Sequence, residues 1–490
     1  LEMSGIPLRS ADRTDGPFVI AGGPCAFNPE PLADFFDIFV LGDGEKSTHD
    51  TIDTFIKWKE SGKPRSEYLR MCAQIPGVYV PSLYDVEYND DGTVKSVTPK
   101  PGSGAPARVY KALVNDLTAA DFPDQMIVPY GDIVHDRIIL EIFRGCTRGC
   151  RFCQAGMIYR PVRERSMDRL MEMAEKLVAA TGYDEISLMS LSSGDYSCLP
   201  ELAHSMVEKF AQKRVRISLP SQRIDNVLTD TLRETQKVKK TGLTLAPEAG
   251  TQRLRDVINK GVTEDDLMRA VTDAFEQGWS SVKLYFMIGL PTETDEDVLG
   301  IADVAARVMH AWRESAPNKQ RGVRITVSTS YFVPKPHTAF QWEPQITREE
   351  YERRVQLLRE NMTTKTVTYN WHDGQTSFIE AVLARGDRRL SNVLETVWRK
   401  GGHLDAWEEY FSLERWQEAF AECGVDPAFY AYRRREKDEI MPWDMISSGV
   451  TREYLWREHE NAVAGVTTPD CRTRCNGCGA NKLVGGKCDV

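Results

Sequence analysis

The residues best suited to chemistry in this chain are its cysteines. There are eleven in 490 residues, an odd number and too few for a disulfide scaffold at this length. Six form two clusters with one spacing, Cys146-x3-Cys150-x2-Cys153 and Cys471-x3-Cys475-x2-Cys478, and Cys488 follows the second. The opening LEMSGIPLRSADR lacks the charged, apolar and small-residue order of a signal peptide, so the chain reads as cytoplasmic and the clusters as metal ligands. Three thiolates on one loop can wrap one face of a 4Fe–4S cube and leave the fourth iron open. Zinc prefers four protein ligands, and no fourth cysteine or histidine stands near Cys146–Cys153. An iron–sulfur centre is the expectation there.

The elements around that loop alternate between apolar, β-branched runs and amphipathic stretches. Six strands are expected, at 137–143, 185–191, 215–219, 243–246, 282–288 and 323–330. Between them, Leu170, Met173, Ala174 and Leu177 share a helical face that ends at Gly182, and Thr263 with Asp266 makes a capping-box pattern. Repeated strand–helix units imply a parallel sheet with its ligands at the C-terminal strand ends. Six units are too few for a closed eight-stranded barrel, so the fold class is α/β, a partial (β/α)6 barrel over 131–345. Residues 1–45 read as the end of a doubly wound domain whose earlier part would precede Leu1, with strands at 18–20 and 38–41 and turns at Gly22-Gly23 and Gly42. Residues 46–130 read as a linker with a helix and a β-hairpin, and 346–468 as a helical region with runs at 348–361, 378–384, 390–399, 404–421 and 452–464. A Cys-rich tail, 469–490, completes the chain.

The string Gly145-Cys146-Thr-Arg-Gly-Cys150-Arg-Phe152-Cys153, directly after the first barrel strand, resembles the signature of the radical S-adenosylmethionine (radical SAM) enzymes. The resemblance covers 137–345 and implies a 4Fe–4S cluster on Cys146, Cys150 and Cys153, with Phe152 in the aromatic slot. It also implies S-adenosylmethionine as cofactor, cleaved by one electron to a 5′-deoxyadenosyl radical, and a donor such as flavodoxin or ferredoxin. Successive strand ends supply the family's cofactor contacts: Ser192, Ser193, Gly194 and Asp195 for the methionine amine, with Asp195 the leading choice. Ser218, Ser221 and Arg223 would serve the ribose and methionine carboxylate, Glu248 a ribose hydroxyl, and Gly289 and Pro291 the adenine. Gly22 and Gly23, with the Gly42-Asp-Gly-Glu45 turn, resemble the last strands of the cobalamin-binding domain in cobalamin-dependent radical SAM proteins. Phe332-Val-Pro-Lys-Pro336, Arg385-Gly-Asp-Arg-Arg389 and the tail resemble an uncharacterised bacterial branch of that group, and cobalamin is a further candidate cofactor.

In the tail, Cys471, Cys475, Cys478 and Cys488 suit either zinc or an auxiliary iron–sulfur cluster. The 62 basic against 72 acidic residues give a net charge of −10, which argues against a general polyanion binder. No apolar run is long enough to span a membrane, and no GxSxG, P-loop or HExxH string occurs. His337 and His372 are isolated candidates for acid–base work. The expected activity is cobalamin-dependent methyl or one-carbon transfer to an unidentified substrate. The alternatives are methylthiolation, a cobalamin-free rearrangement or, remotely, a non-enzymatic metal-stabilised nucleic-acid-binding module. The substrate cannot be read from the residues.

Overall fold

A computed structural model describes residues 1–131, 133–219, 223–226, 243–486 and 488. The six expected barrel strands are present as Ile138–Glu141, Glu185–Met189, Arg216–Ser218, Leu243–Glu248, Ser281–Ile288 and Arg324–Tyr331. A seventh, Val367–Trp371, pairs parallel with Arg324–Tyr331 at the edge. The seven form two arcs, one ordered 216–218, 185–189, 138–141 and the other running from 243–248 to 367–371, with every ladder parallel.

Local signals explain why the connecting helices sit where they do. Helix Met167–Thr181 starts at Ser166, whose hydroxyl accepts from Arg169 N–H, and stops at Gly182 in the left-handed region. It buries Leu170, Met173, Ala174, Leu177 and Val178 against the first arc, each large side chain contributing about 1.5–3 kcal/mol. Helix Glu264–Glu276 opens with the complete Thr263–Asp266 capping box. Leu267, Val271 and Phe275 from that helix join Val298, Ile301 and Val308 in the core of the second arc.

The ends of the chain close around this barrel. Strands Ile20–Gly22 and Ile38–Val40 pair in parallel, and Val78–Tyr79 adds an antiparallel third. The hairpin Tyr84–Tyr88 with Val94–Pro99 follows. Val109–Tyr110 pairs with Ile446–Ser447, tying the linker to the C-terminal region. His337 Nε2 lies 2.9 Å from the Phe27 carbonyl, and Glu30 pairs with Arg388, so the N-terminal sheet is held at both the barrel and the helical region. In that region, the run expected over 404–421 is helical only from Leu413 to Cys423. Ser412 caps it there, and Leu404 has a φ of +54° that interrupts any earlier start. Among the described residues no helix is long and apolar enough to cross a membrane.

Candidate active site

The cysteine loop leaves the barrel through Phe143–Arg144, which pairs antiparallel with Arg163–Glu164. Gly145 has a φ of +90°, and a Cβ there would lie 2.6 Å from the Pro161 carbonyl and 2.9 Å from that of Tyr159. Only glycine permits the turn into Cys146. Within the loop, Cys153 N–H donates to the Cys150 carbonyl at 3.1 Å and Gly156 N–H to Cys153 Sγ at 3.3 Å. Arg151 is completely buried and donates to the carbonyls of Val257 (2.9 Å) and Val466 (2.6 Å) while pairing with Glu458 (3.2 Å). The loop is thereby clamped between helices Gln252–Val257 and Arg452–Val463.

Cys146, Cys150 and Cys153 border one cavity of about 260 Å³. Phe152, Ser192, Arg223, Glu248 and Lys260 share its wall. Glu248 ends its strand at a register shift with a φ of +69°, a bulge that re-aims the side chain at a strand end. Its carboxylate accepts from Lys260 Nζ at 3.0 Å. Arg223 donates to the Lys260 carbonyl (2.8 Å) and to Asp225 (2.9 Å). The thiols therefore face a wall carrying one carboxylate and, with Arg148, three cations, suited to a zwitterionic, hydroxyl-bearing ligand. Burial, and then Cys150 beside it, push the Cys146 thiol up to about 12 and raise Cys153 as well. Metal-free, these thiols hold their protons, so loading a metal must displace them.

The other expected contacts occupy different places. Asp195 stands behind the cavity wall, accepting from Arg148 (2.7 Å) and Ser192 Oγ (2.6 Å). Ser193 is buried and donates to the Leu188 carbonyl, and Gly194 lies in the turn Ser193–Asp195. Ser218 ends strand Arg216–Ser218 without lining the cavity. Ser221 lies outside the described residues. Gly289 packs its backbone against Ile346 and donates to Glu293 (2.7 Å); neither it nor Pro291 borders the cavity. Gly22 is an exposed strand residue paired with Val40, and Gly23 turns away from it into a short 3₁₀ segment. His337 is buried, held at the Phe27 carbonyl away from the cavity.

Two residues of the site were not anticipated. Arg148, inside the cysteine loop, pairs with Asp195, Asp225 and Asp470 and so gathers three separate segments. Its place in the motif was a usable signal. Lys260 had none, because it follows a short helix and reaches Glu248 only in three dimensions. The tail cysteines Cys471, Cys475, Cys478 and Cys488 all border a second cavity of about 210 Å³, and Cys146 borders that one too.

Comparison with known proteins matches residues 140–305 to the family model "Radical SAM superfamily" and residues 1–81 to "Radical SAM proteins, N-terminal". The chain belongs to the radical SAM superfamily. It is 30% identical over 407 residues to an uncharacterised protein of Methanocaldococcus jannaschii, covering 83% of this chain and 79% of that one. A probable threonylcarbamoyladenosine tRNA methylthiotransferase of Archaeoglobus fulgidus is 30% identical over 169 residues, 32% of this chain and 39% of that protein. Among solved structures, the radical SAM methyltransferase of Kitasatospora setae with cobalamin and a 4Fe–4S cluster bound is 16% identical, with a TM-score of 0.39 over 64% of this chain and 56% of that one. The chain thus spans about two fifths of that methylthiotransferase and a little over half of that methyltransferase. Membership of the superfamily makes the protein an enzyme and implies the 4Fe–4S cluster and S-adenosylmethionine as cofactors.

Proposed function

We propose that the cavity bordered by Cys146, Cys150 and Cys153 is where this enzyme cleaves S-adenosylmethionine, and that the radical produced starts a methyl or other one-carbon transfer. The observation that carries the reading is the convergence of those thiols with Arg223, Glu248 and Lys260 on one cavity. The donor set fits a 4Fe–4S cluster: three thiols, no fourth cysteine or histidine among the described residues of the wall, and the Gly156 N–H aimed at Cys153 sulfur. When bound, that cluster supplies the electron that breaks a C–S bond of S-adenosylmethionine to give methionine and the 5′-deoxyadenosyl radical.

The chain's own residues bind and orient. Arg223 presents a planar guanidinium to the methionine carboxylate. Glu248 accepts from a ribose hydroxyl, and Lys260 holds Glu248 in place. Ser192 faces the methionine amine, with Asp195 positioning both Ser192 and Arg148. Ser218 and Ser221 stay assigned to the ribose, and Gly289 with Pro291 to the adenine side. A flavodoxin- or ferredoxin-type protein would deliver the electron, in the cytoplasm. Cobalamin would contribute a transferable methyl group, with Gly22 and Gly23 as its contacts. Gly22 is engaged in the strand ladder and the sheet has only three short strands; these residues do not enclose a corrin, and no step is assigned through it. Hydroxocobalamin should therefore bind residues 1–490 weakly or not at all in equilibrium dialysis.

Methylthiolation is the second reading, supported by the similarity to the Archaeoglobus fulgidus methylthiotransferase. The test of the first step is 5′-deoxyadenosine formation from S-adenosylmethionine by anaerobically reconstituted, reduced protein. The Cys146/Cys150/Cys153 triple alanine variant should form none, and formation at the normal rate would refute the assignment. Product mass from isotopically labelled S-adenosylmethionine then separates one-carbon transfer from transfer of carbon with sulfur.

A further inference from the structure

The tail is fastened directly to the first cysteine loop. Cys471 N–H donates to the Thr147 carbonyl (3.1 Å), Thr147 Oγ1 donates to Asp470 (2.7 Å), and Arg148 pairs with Asp470 (3.0 Å). Farther along, Thr451 N–H donates to the Cys478 carbonyl at 2.9 Å, anchoring the tail's return to the C-terminal helix. These contacts set Cys471, Cys475, Cys478 and Cys488 around the 210 Å³ cavity, with Cys146 and Arg160 in the same wall.

Two observations bear on the occupant, the first on its charge and the second on its size. Arg160 is only 2% exposed, and its guanidinium donates to the carbonyls of Gly156 (3.0 Å) and Arg148 (2.7 Å) and meets the Tyr454 hydroxyl (3.3 Å). Among the described residues no carboxylate pairs with it, and Cys471 and Cys478 border the same cavity. A buried guanidinium calls for an anion, and ligating thiolates in this cavity would provide one. The second observation concerns size. Zinc bound to four sulfurs at about 2.3 Å leaves little space among them, whereas the four tail cysteines border a cavity of about 210 Å³. The tail cysteines line that cavity as Cys146, Cys150 and Cys153 line theirs. That arrangement fits a polynuclear cluster.

We propose that Cys471, Cys475, Cys478 and Cys488 hold a second 4Fe–4S cluster, saturated with thiolate, with Arg160 as its buried counter-charge and Cys146 in the wall between the two centres. Saturation leaves no iron open to S-adenosylmethionine, which is what distinguishes it from the first. The proposal stands whether or not the first cavity cleaves S-adenosylmethionine.

The 490-residue protein reconstituted anaerobically with ferrous iron and sulfide should contain about eight irons and eight sulfides per chain. Cys475→Ser/Cys478→Ser protein should contain about four of each. The converse variant, Cys150→Ser/Cys153→Ser, should also retain about four irons, with a reduced-state EPR signal that S-adenosylmethionine does not change. Fully reduced wild-type protein should show the broadened EPR spectrum of two neighbouring paramagnets, resolving into a single isolated signal in either variant. One zinc per chain beside about four irons in the wild type would overturn the proposal, as would loss of all iron from Cys150→Ser/Cys153→Ser protein with native circular dichroism. Loss of 5′-deoxyadenosine formation with wild-type iron content unchanged would count against the proposed reaction and leave the second cluster standing.

Discussion

The two cysteine loops share one spacing and differ in everything around it. The first issues from a buried parallel strand, is clamped by Arg151 between two helices, and faces a wall of Arg223, Glu248 and Lys260. The second belongs to a tail with one short 3₁₀ segment among its described residues, closes on a fourth cysteine, and has Arg160 as the one charged residue among the described residues of its wall. An x3 and x2 spacing specifies only that three thiols can meet. Whether a site stays open to a cofactor depends on what the surrounding fold supplies as the fourth neighbour.

The largest expected effect breaks the first loop alone. Replacing Cys150 with alanine should reduce 5′-deoxyadenosine formation to background, more than about a hundredfold, because two thiolates no longer hold three irons of the cube. The measurement is product formation by mass spectrometry beside tail metal content; equal loss of metal from both cavities would erase the distinction drawn between the loops. Next in size are changes to the wall that the second loop lacks. Glu248→Gln and Lys260→Met should each raise the S-adenosylmethionine KM by about tenfold or more, the worth of one charge-assisted hydrogen bond at roughly 1.5–3 kcal/mol. Steady-state kinetics checks this, and an unchanged KM in both variants would remove the wall from the binding site.

Backbone turns sharpen the comparison further. Gly145 and Gly477 both have positive φ, at +90° and +65°, but only Gly145 has carbonyls where a Cβ would go. Gly477→Ala should lose about 1–2 kcal/mol from the left-handed conformation alone. Gly145→Ala should lose more, and cluster loading with it; denaturant melts of the two variants side by side test the order. The smallest effect lies outside both loops. Burial pushes His337 down to about 4 from its ordinary 6.5. Its neutral form is the folded one, so its contribution is complete above about pH 6.5 and is lost as pH falls toward 4. His337→Gln should flatten that part of the acid-unfolding profile, read by circular dichroism, while leaving iron content at neutral pH as it was. An unaltered profile would mean that burial does not hold this histidine neutral in the folded chain.

Much of the barrel was legible because its signals are local. Alternating strand and helix patterns located six strands, the Thr263–Asp266 box started a helix where expected, and Gly182 stopped another. Strand Val367–Trp371 escaped notice because it is an edge strand. Thr368 and Asn370 interrupt its apolar character and its exposure is high, so no buried-strand pattern forms. The helix expected from 404 begins only at Leu413, since periodicity cannot register the positive φ at Leu404.

By itself, the sequence determined which thiols form sets, that the first set follows a barrel strand, and that later strand ends would bring polar residues to it. These depend on spacing and periodicity, which neighbouring residues carry between them. Tertiary structure alone decided that Asp195 turns to Arg148, that Lys260 meets Glu248, and that the tail comes to rest beside Cys146 with Arg160 lining the same cavity. Those pairings join residues from 12 to more than 300 positions apart. Their geometry follows from how packed helices and strands close on one another, which no local pattern encodes.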